Sequence, residues 1–145
     1  MAKFVDNILS DKPKTIEKMA KAFEKGGCSQ YMDALIADVK TGTGTDFGKI
    51  FIYVTDNFVV DYTFFMRGLG NTIKVVPINT VVNAYRTNID YSTNKYSHDY
   101  LNLAVETNDG RRVVMGNVYR TLKTAFEELD NAANFIKGKV YGGAS

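Results

Sequence analysis

One cysteine, one histidine and a net charge of only +2 in 145 residues remove most of the usual chemistries before any motif is sought. A lone Cys28 forbids an intramolecular disulfide, which excludes the small secreted disulfide scaffolds and points to a reducing cytoplasm. Metal sites need a cluster of His, Cys or carboxylates at ligand spacing, and His98 and Cys28 lie far apart in the chain, so neither a metal nor a cofactor is expected. Eighteen Lys and Arg against sixteen Asp and Glu build no field that would draw nucleic acid. No segment approaches the roughly 18 apolar residues of a membrane span, and residues 1–10 lack the apolar stretch of a signal peptide. Internal repeats, low-complexity blocks and linkers are missing too, so residues 1–145 are expected to form a single domain.

What remains is an ordinary globular composition, 45% apolar and 23% charged, in a chain long enough to bury a core without staples. In the first part, Ile16, Met19, Ala20 and Phe23 fall at helical spacing with Lys and Glu between them, which predicts an amphipathic helix over 15–25. Ser10 or Asp11 is placed to cap it, Pro13 suits its first turn, and Gly26-Gly27 stops it. Residues 1–27 thus read as an N-terminal helical extension.

From Tyr31 onward the period changes to two and turn residues recur at short intervals, predicting about seven strands in hairpin order. These run over 31–39, 49–55, 58–62, 72–76, 80–86, 100–107 and 111–116. Asp56-Asn57 and Asn108-Asp109-Gly110 sit where tight hairpin turns belong. Pro77 marks a break or a sheet edge, and Gly42-Thr43-Gly44 reads as a flexible hairpin loop. Leu122, Phe126, Leu129, Ala133 and Ile136 then form one stripe of a last helix of about four to five turns. The end, 138–145, reads as a flexible tail.

Three stretches carry a resemblance. The run Ile52-Tyr53-Val54-Thr55-Asp56-Asn57-Phe58-Val59-Val60 is similar to the "apolar, Thr-Asp, turn, apolar" hairpin of bacterial pleckstrin-homology-like (PH-like) domains. Val76-Pro77-Ile78-Asn79-Thr80-Val81 resembles that family's Pro-containing lead into a strand, and Thr107-Asn108-Asp109-Gly110 its last hairpin. Over about 49–136 the resemblance implies a mainly β chain (α+β by content). It would be a bent antiparallel sheet or barrel of about seven strands with a C-terminal capping helix, here with an added N-terminal helix and a PH-like body spanning 31–137. Inositol-lipid-binding members carry a basic cluster beside their first loop; here Lys40 and Lys49 flank neutral Thr and Gly, with Phe51 where another base would stand.

Little in the sequence asks for catalysis, and no catalytic residue is assigned. His98 adjoins Asp99, but neighbours in an extended segment point to opposite sides, and no nucleophile accompanies them. Cys28 follows a helix C-terminus, whose negative end raises a thiol pKa. Glu127, Glu128 and Asp130 read as a solvated helix face.

The hairpin is less ordinary. In Ile50-Phe51-Ile52-Tyr53-Val54 and Phe58-Val59-Val60 apolar residues fill both alternating sets, so both faces are expected to be covered. Either the Ile16, Met19 and Phe23 stripe lies on it or a second chain does, which makes Ile16, Met19, Phe23, Phe51 and Tyr53 candidate interaction residues. Tyr91, Tyr96 and Tyr100, in the polar 88–100 connection, are further candidates, since tyrosine is enriched at interfaces. The function expected is a noncatalytic binding or assembly module, engaged in self-association or with a protein partner. The alternative is a small-ligand-binding or enzymatic α+β cone, resembling nuclear-transport-factor-like or cystatin-like folds, for which a deep polar pocket lined by Asp and Tyr would be the sign and a core filled by Leu122, Phe126 and Leu129 the opposite one. Weak peripheral membrane contact through the first helix, Arg67 and Lys74 is a third reading.

Overall fold

A computed structural model describes residues 3–63, 65, 72–87, 100–119 and 123–142. The chain divides into two compact units, Met1–Pro77 and Ile78–Ser145, so the unit boundary falls at Pro77, where the sequence predicts a break.

The first unit starts with three helices. α1 (Lys3–Ile8) is one the periodicity reading passes over, and α2 (Pro13–Lys25) is the predicted amphipathic helix. Lys12, not Ser10 or Asp11, is the N-cap of α2, and Ser10 Oγ instead accepts a hydrogen bond from the Lys12 N–H at 3.1 Å. The two glycines at its end do different work. Gly27 takes the left-handed conformation (φ +70°), so that Cys28 N–H reaches Phe23 O at 2.9 Å and Gly27 N–H reaches Glu24 O at 3.0 Å, the paired bonds of a Schellman stop. Gly26 lies against the Ile73 carbonyl, where any Cβ would collide with backbone.

Residues 31–39 are not a strand. A short 3₁₀ turn, Ser29–Tyr31, leads into α3 (Met32–Lys40). Leu35 and Val39, four apart, are the buried positions of α3, Asp33 lies in its first turn and Lys40 in its last, both favourable to the helix dipole. The strand count among the described residues is nonetheless seven, because the predicted Gly42–Gly44 hairpin loop is a helix-to-strand connection that runs into a short strand, β1 (Thr45–Phe47).

β1, β2 (Ile52–Val54), β3 (Phe58–Asp61) and β4 (Lys74–Pro77) form an antiparallel sheet in chain order. The Asp56-Asn57 turn is closed by Thr55 N–H donating to Phe58 O at 2.9 Å. Every residue of β2 and β3 is buried, as their doubly apolar pattern requires. One face carries Tyr53, Phe58, Val60, Tyr62, Ile73 and Val75, which pack into one core with Phe4, Val5 and Ile8 of α1, Met19, Ala22 and Phe23 of α2, and Leu35 and Val39 of α3. The N-terminal helix therefore lies on the hairpin of its own chain. Ile52, Val54 and Val59, on the opposite face, are also buried.

The second unit holds a three-stranded antiparallel sheet, β5 (Val81–Thr87), β6 (Tyr100–Thr107) and β7 (Arg112–Tyr119), and the terminal helix α4 (Lys123–Gly142). α4 packs along β5 and buries Leu129, Ala132, Ala133 and Ile136; Phe126 is half-buried and Leu122 lies outside the described residues. The Arg86 guanidinium bridges the two elements. It lies over the Phe126 ring at 3.6 Å from the centroid, and its Nε donates to Asp130 Oδ1 at 2.9 Å. At the far end Tyr141 donates to Val82 O at 2.6 Å.

The architecture is thus α+β, with seven strands in two antiparallel sheets among the described residues and a C-terminal helix. Among the described residues each sheet is open, with β1 and β4 as the edges of one and β5 and β7 as the edges of the other, so the expected single bent sheet or barrel is replaced by a four-stranded and a three-stranded sheet. No helix among the described residues is long and apolar enough to cross a membrane.

Candidate functional site

The site lies in the first unit, on the helix-covered face of its sheet. Thr45, Asp46 and Phe47 of β1 pair with Val54, Tyr53 and Ile52 of β2. Asp46 and Tyr53 are therefore direct cross-strand partners and leave the same face of the sheet. Tyr53 is only 5% exposed, with its ring 5.8 Å from Phe4, and Phe4 in turn stacks on Tyr62 at 4.5 Å. The Tyr62 hydroxyl donates to Asp46 Oδ1 at 2.6 Å. These contacts orient the carboxylate and the Tyr53 ring from two sides.

Beside this pair opens a cavity of about 380 Å³. Val5 and Leu9 at α1 and Val39 of α3 supply apolar wall, while Lys40, Asp46 and Tyr53 supply polar groups, and Gly42 and Gly44 complete the rim. Gly44 is required by contact. A Cβ there would lie on the Tyr53 phenol, closer than real Cβ atoms come, so any larger residue would push the ring out of place. The volume and the mix of apolar wall with a few polar groups match small-molecule sites in general.

Three polar atoms are uncommitted among the described residues: the Tyr53 hydroxyl, Asp46 Oδ2 and the Lys40 amine have no hydrogen-bond or ion-pair partner there. Burial is the main cause that raises the Tyr53 hydroxyl pKa, with the Asp46 charge beside it a further one, so the phenol stays protonated and able to donate.

α3 is fixed to the hairpin turn by a polar clasp next to the cavity. Asp38 Oδ2 accepts from the Thr55 hydroxyl at 2.7 Å and the Asn57 N–H at 3.0 Å, and Oδ1 accepts from Asn57 Nδ2 at 2.9 Å. Thr43 adds a bond to Asp56 Oδ2 at 3.1 Å. Because Val39 and Lys40 follow Asp38 directly, the clasp also sets where the helical wall of the cavity stands.

Of the predicted interaction residues, Tyr53, Met19 and Phe23 are buried inside this unit. Phe51 is partly buried at the edge of the same core, holds a positive φ of 58°, and meets Tyr62 edge-on at 5.7 Å. Ile16 alone of the helical three is exposed, at 46%. Tyr91 and Tyr96, with His98, lie outside the described residues, and Tyr100 opens β6 opposite Tyr119. Cys28 is 3% exposed, and its thiol donates to Ile73 O at 3.3 Å and Phe23 O at 3.4 Å. Its pKa is pushed up to about 11, the direction expected, but the cause is burial, opposed by a backbone hydrogen bond at Val75. No group of three or more metal-ligating side chains occurs among the described residues. Comparison of the chain with protein-family models, with curated proteins and with solved structures finds no match.

Proposed function

We propose that this chain is a noncatalytic binding module whose ligand enters the cavity between α1, α3 and the β1–β2 pair. The observation that carries the reading is the cavity itself, about 380 Å³ with an apolar wall and three uncommitted polar groups, one of them on the buried Tyr53. Preformed pockets of this composition are the default binding sites of small domains. Asp46 and Tyr53 in the lining support the small-ligand form of this reading. The PH-like relationship remains part of this proposal, supported by hairpin-ordered strands followed by a single terminal helix. Residence in a reducing cytoplasm is supported by the free, buried Cys28 thiol.

A fragment screen read by amide NMR spectra of the full chain tests this. Shifts clustering at Val5, Leu9, Val39, Lys40 and Tyr53 are expected, and a library that leaves all of these unmoved would refute the reading.

Contact with a protein partner or a second copy is the other reading. It is favoured by Val82 and Tyr141, which are 45% and 59% exposed and are joined by the Tyr141 hydrogen bond. Light scattering of wild type against Val82→Asp tests its second-copy form, a monomer in both cases removing that form.

A further inference from the structure

The geometry points to a zwitterion on an apolar body, of which an apolar α-amino acid is the simplest, as the ligand of the cavity beside Asp46 and Tyr53. This rests on the binding-module reading and names its ligand class. Two opposite charges line one cavity: Lys40 from the last turn of α3 and Asp46 from β1. Neither is paired with an opposite charge among the described residues, although ion pairs form readily elsewhere on this surface, as between Lys21 and Glu17. A ligand with one charge would satisfy one of them and face like charge from the other. A ligand with both satisfies both.

The remaining groups fit the same class. Asp46 commits Oδ1 to the Tyr62 hydroxyl and keeps Oδ2 free, which suits an ammonium donor. The Tyr53 hydroxyl has no partner among the described residues, and its side chain is more than nine-tenths buried where it reaches the cavity. As a protonated phenol it both donates and accepts, so it serves either end of a zwitterion. Val5, Leu9 and Val39 then receive an aliphatic or aromatic body. Gly44 admits this arrangement by leaving room for the Tyr53 ring. Nothing in the site asks for a phosphate, which would set a second anion against Asp46.

Titration calorimetry with leucine and phenylalanine, and with isopentylamine and 4-methylpentanoate as single-charge controls, tests the inference on the full chain. Saturable binding of at least one amino acid is expected, with each control weaker by about tenfold or more. Lys40→Met is expected to weaken amino-acid binding by about tenfold while amine binding holds or tightens, since the like charge facing the amine is gone, and Tyr53→Phe to weaken amino-acid binding by about fivefold or more. Lys40 is exposed, so that variant keeps the fold, as its amide spectrum would verify. A control binding as tightly as the amino acids overturns the zwitterion assignment while leaving the binding module standing. Lys40→Met within twofold of wild type overturns it as well. Absence of binding by all four probes at about 10 mM overturns it too, and the fragment screen then decides separately whether the cavity binds anything.

Discussion

Replacing Asp38 by Ala removes the acceptor of three hydrogen bonds at once, and the structure says which of them matters. The Asn57 N–H and side-chain amide sit at the surface and turn to water at little cost, about 0.5 kcal/mol each. Thr55 is fully buried, and among the described residues its hydroxyl is left with Phe58 O at 3.5 Å as acceptor, a poor bond. An unsatisfied buried hydroxyl costs about 1–3 kcal/mol, so the variant is expected to lose about 2–4 kcal/mol in total. Urea denaturation followed by circular dichroism, with linear extrapolation, reads this as a lower midpoint at unchanged slope. A double-mutant cycle with Thr55→Val isolates the cause. Once the hydroxyl is gone there is no donor to strand, so the double variant should fall short of additivity by about 1 kcal/mol. A loss for Asp38→Ala below about 0.5 kcal/mol, or additive single losses, would show that the clasp does not hold α3 on the hairpin turn and would refute the reasoning.

Other consequences follow from the same geometry. Gly44→Ala forces the Tyr53 ring aside and is expected to cost about 1–3 kcal/mol, seen as a lower melting temperature and shifted Tyr53 resonances. Arg86→Lys keeps the charge but loses both the flat stack on Phe126 and the directed bond to Asp130; it should destabilise by about 1 kcal/mol and lie nearer to Arg86→Ala than to wild type. The folded Cys28 thiol ionises near 11 against 9.0 when unfolded. Its contribution is therefore full below pH 9 and is lost as pH rises toward 11, so the stability difference between wild type and Cys28→Ala should shrink by about 2 kcal/mol over that window. The same burial should leave the native thiol unreactive toward Ellman's reagent until the chain unfolds.

Where the sequence was legible, one local pattern governed each element. The α2 stripe, the α4 stripe and the two hairpins around Asp56 and Asp109 are read from spacing and turn residues because their burial follows from their own periodicity. Residues 31–39 misled because Tyr31, Ile36 and Val39 are β-favouring, while the decisive Leu35 and Val39 spacing occupies barely two turns. α1 was invisible for a similar reason: six residues carry too little periodicity to stand out, and Phe4 is recognisable as core only once Tyr53 and Tyr62 stand beside it. The spacing puts Ile16 on the buried stripe with Met19 and Phe23, yet it is 46% exposed and meets a shallow space lined by Asn7, Ile8, Met32 and Ile36 instead of the core. The cavity could not be read at all. Its wall comes from residues near 5, 40 and 53, and neither Lys40 nor Tyr53 is distinctive until the β1–β2 register puts Asp46 opposite the tyrosine.

The helices of the first unit precede in the chain the strands that cover them, and this orders events during synthesis. Phe23 emerges from the ribosome roughly 40 residues ahead of Val60, its core partner, a delay of about 2–8 s at ordinary elongation rates. Throughout that interval Met19, Phe23 and Leu35 form an apolar face with no sheet to lie on. Nascent chains stalled before β3 should therefore recruit ribosome-associated chaperones or self-associate. Chains stalled after β4, with the cover complete, should resist protease.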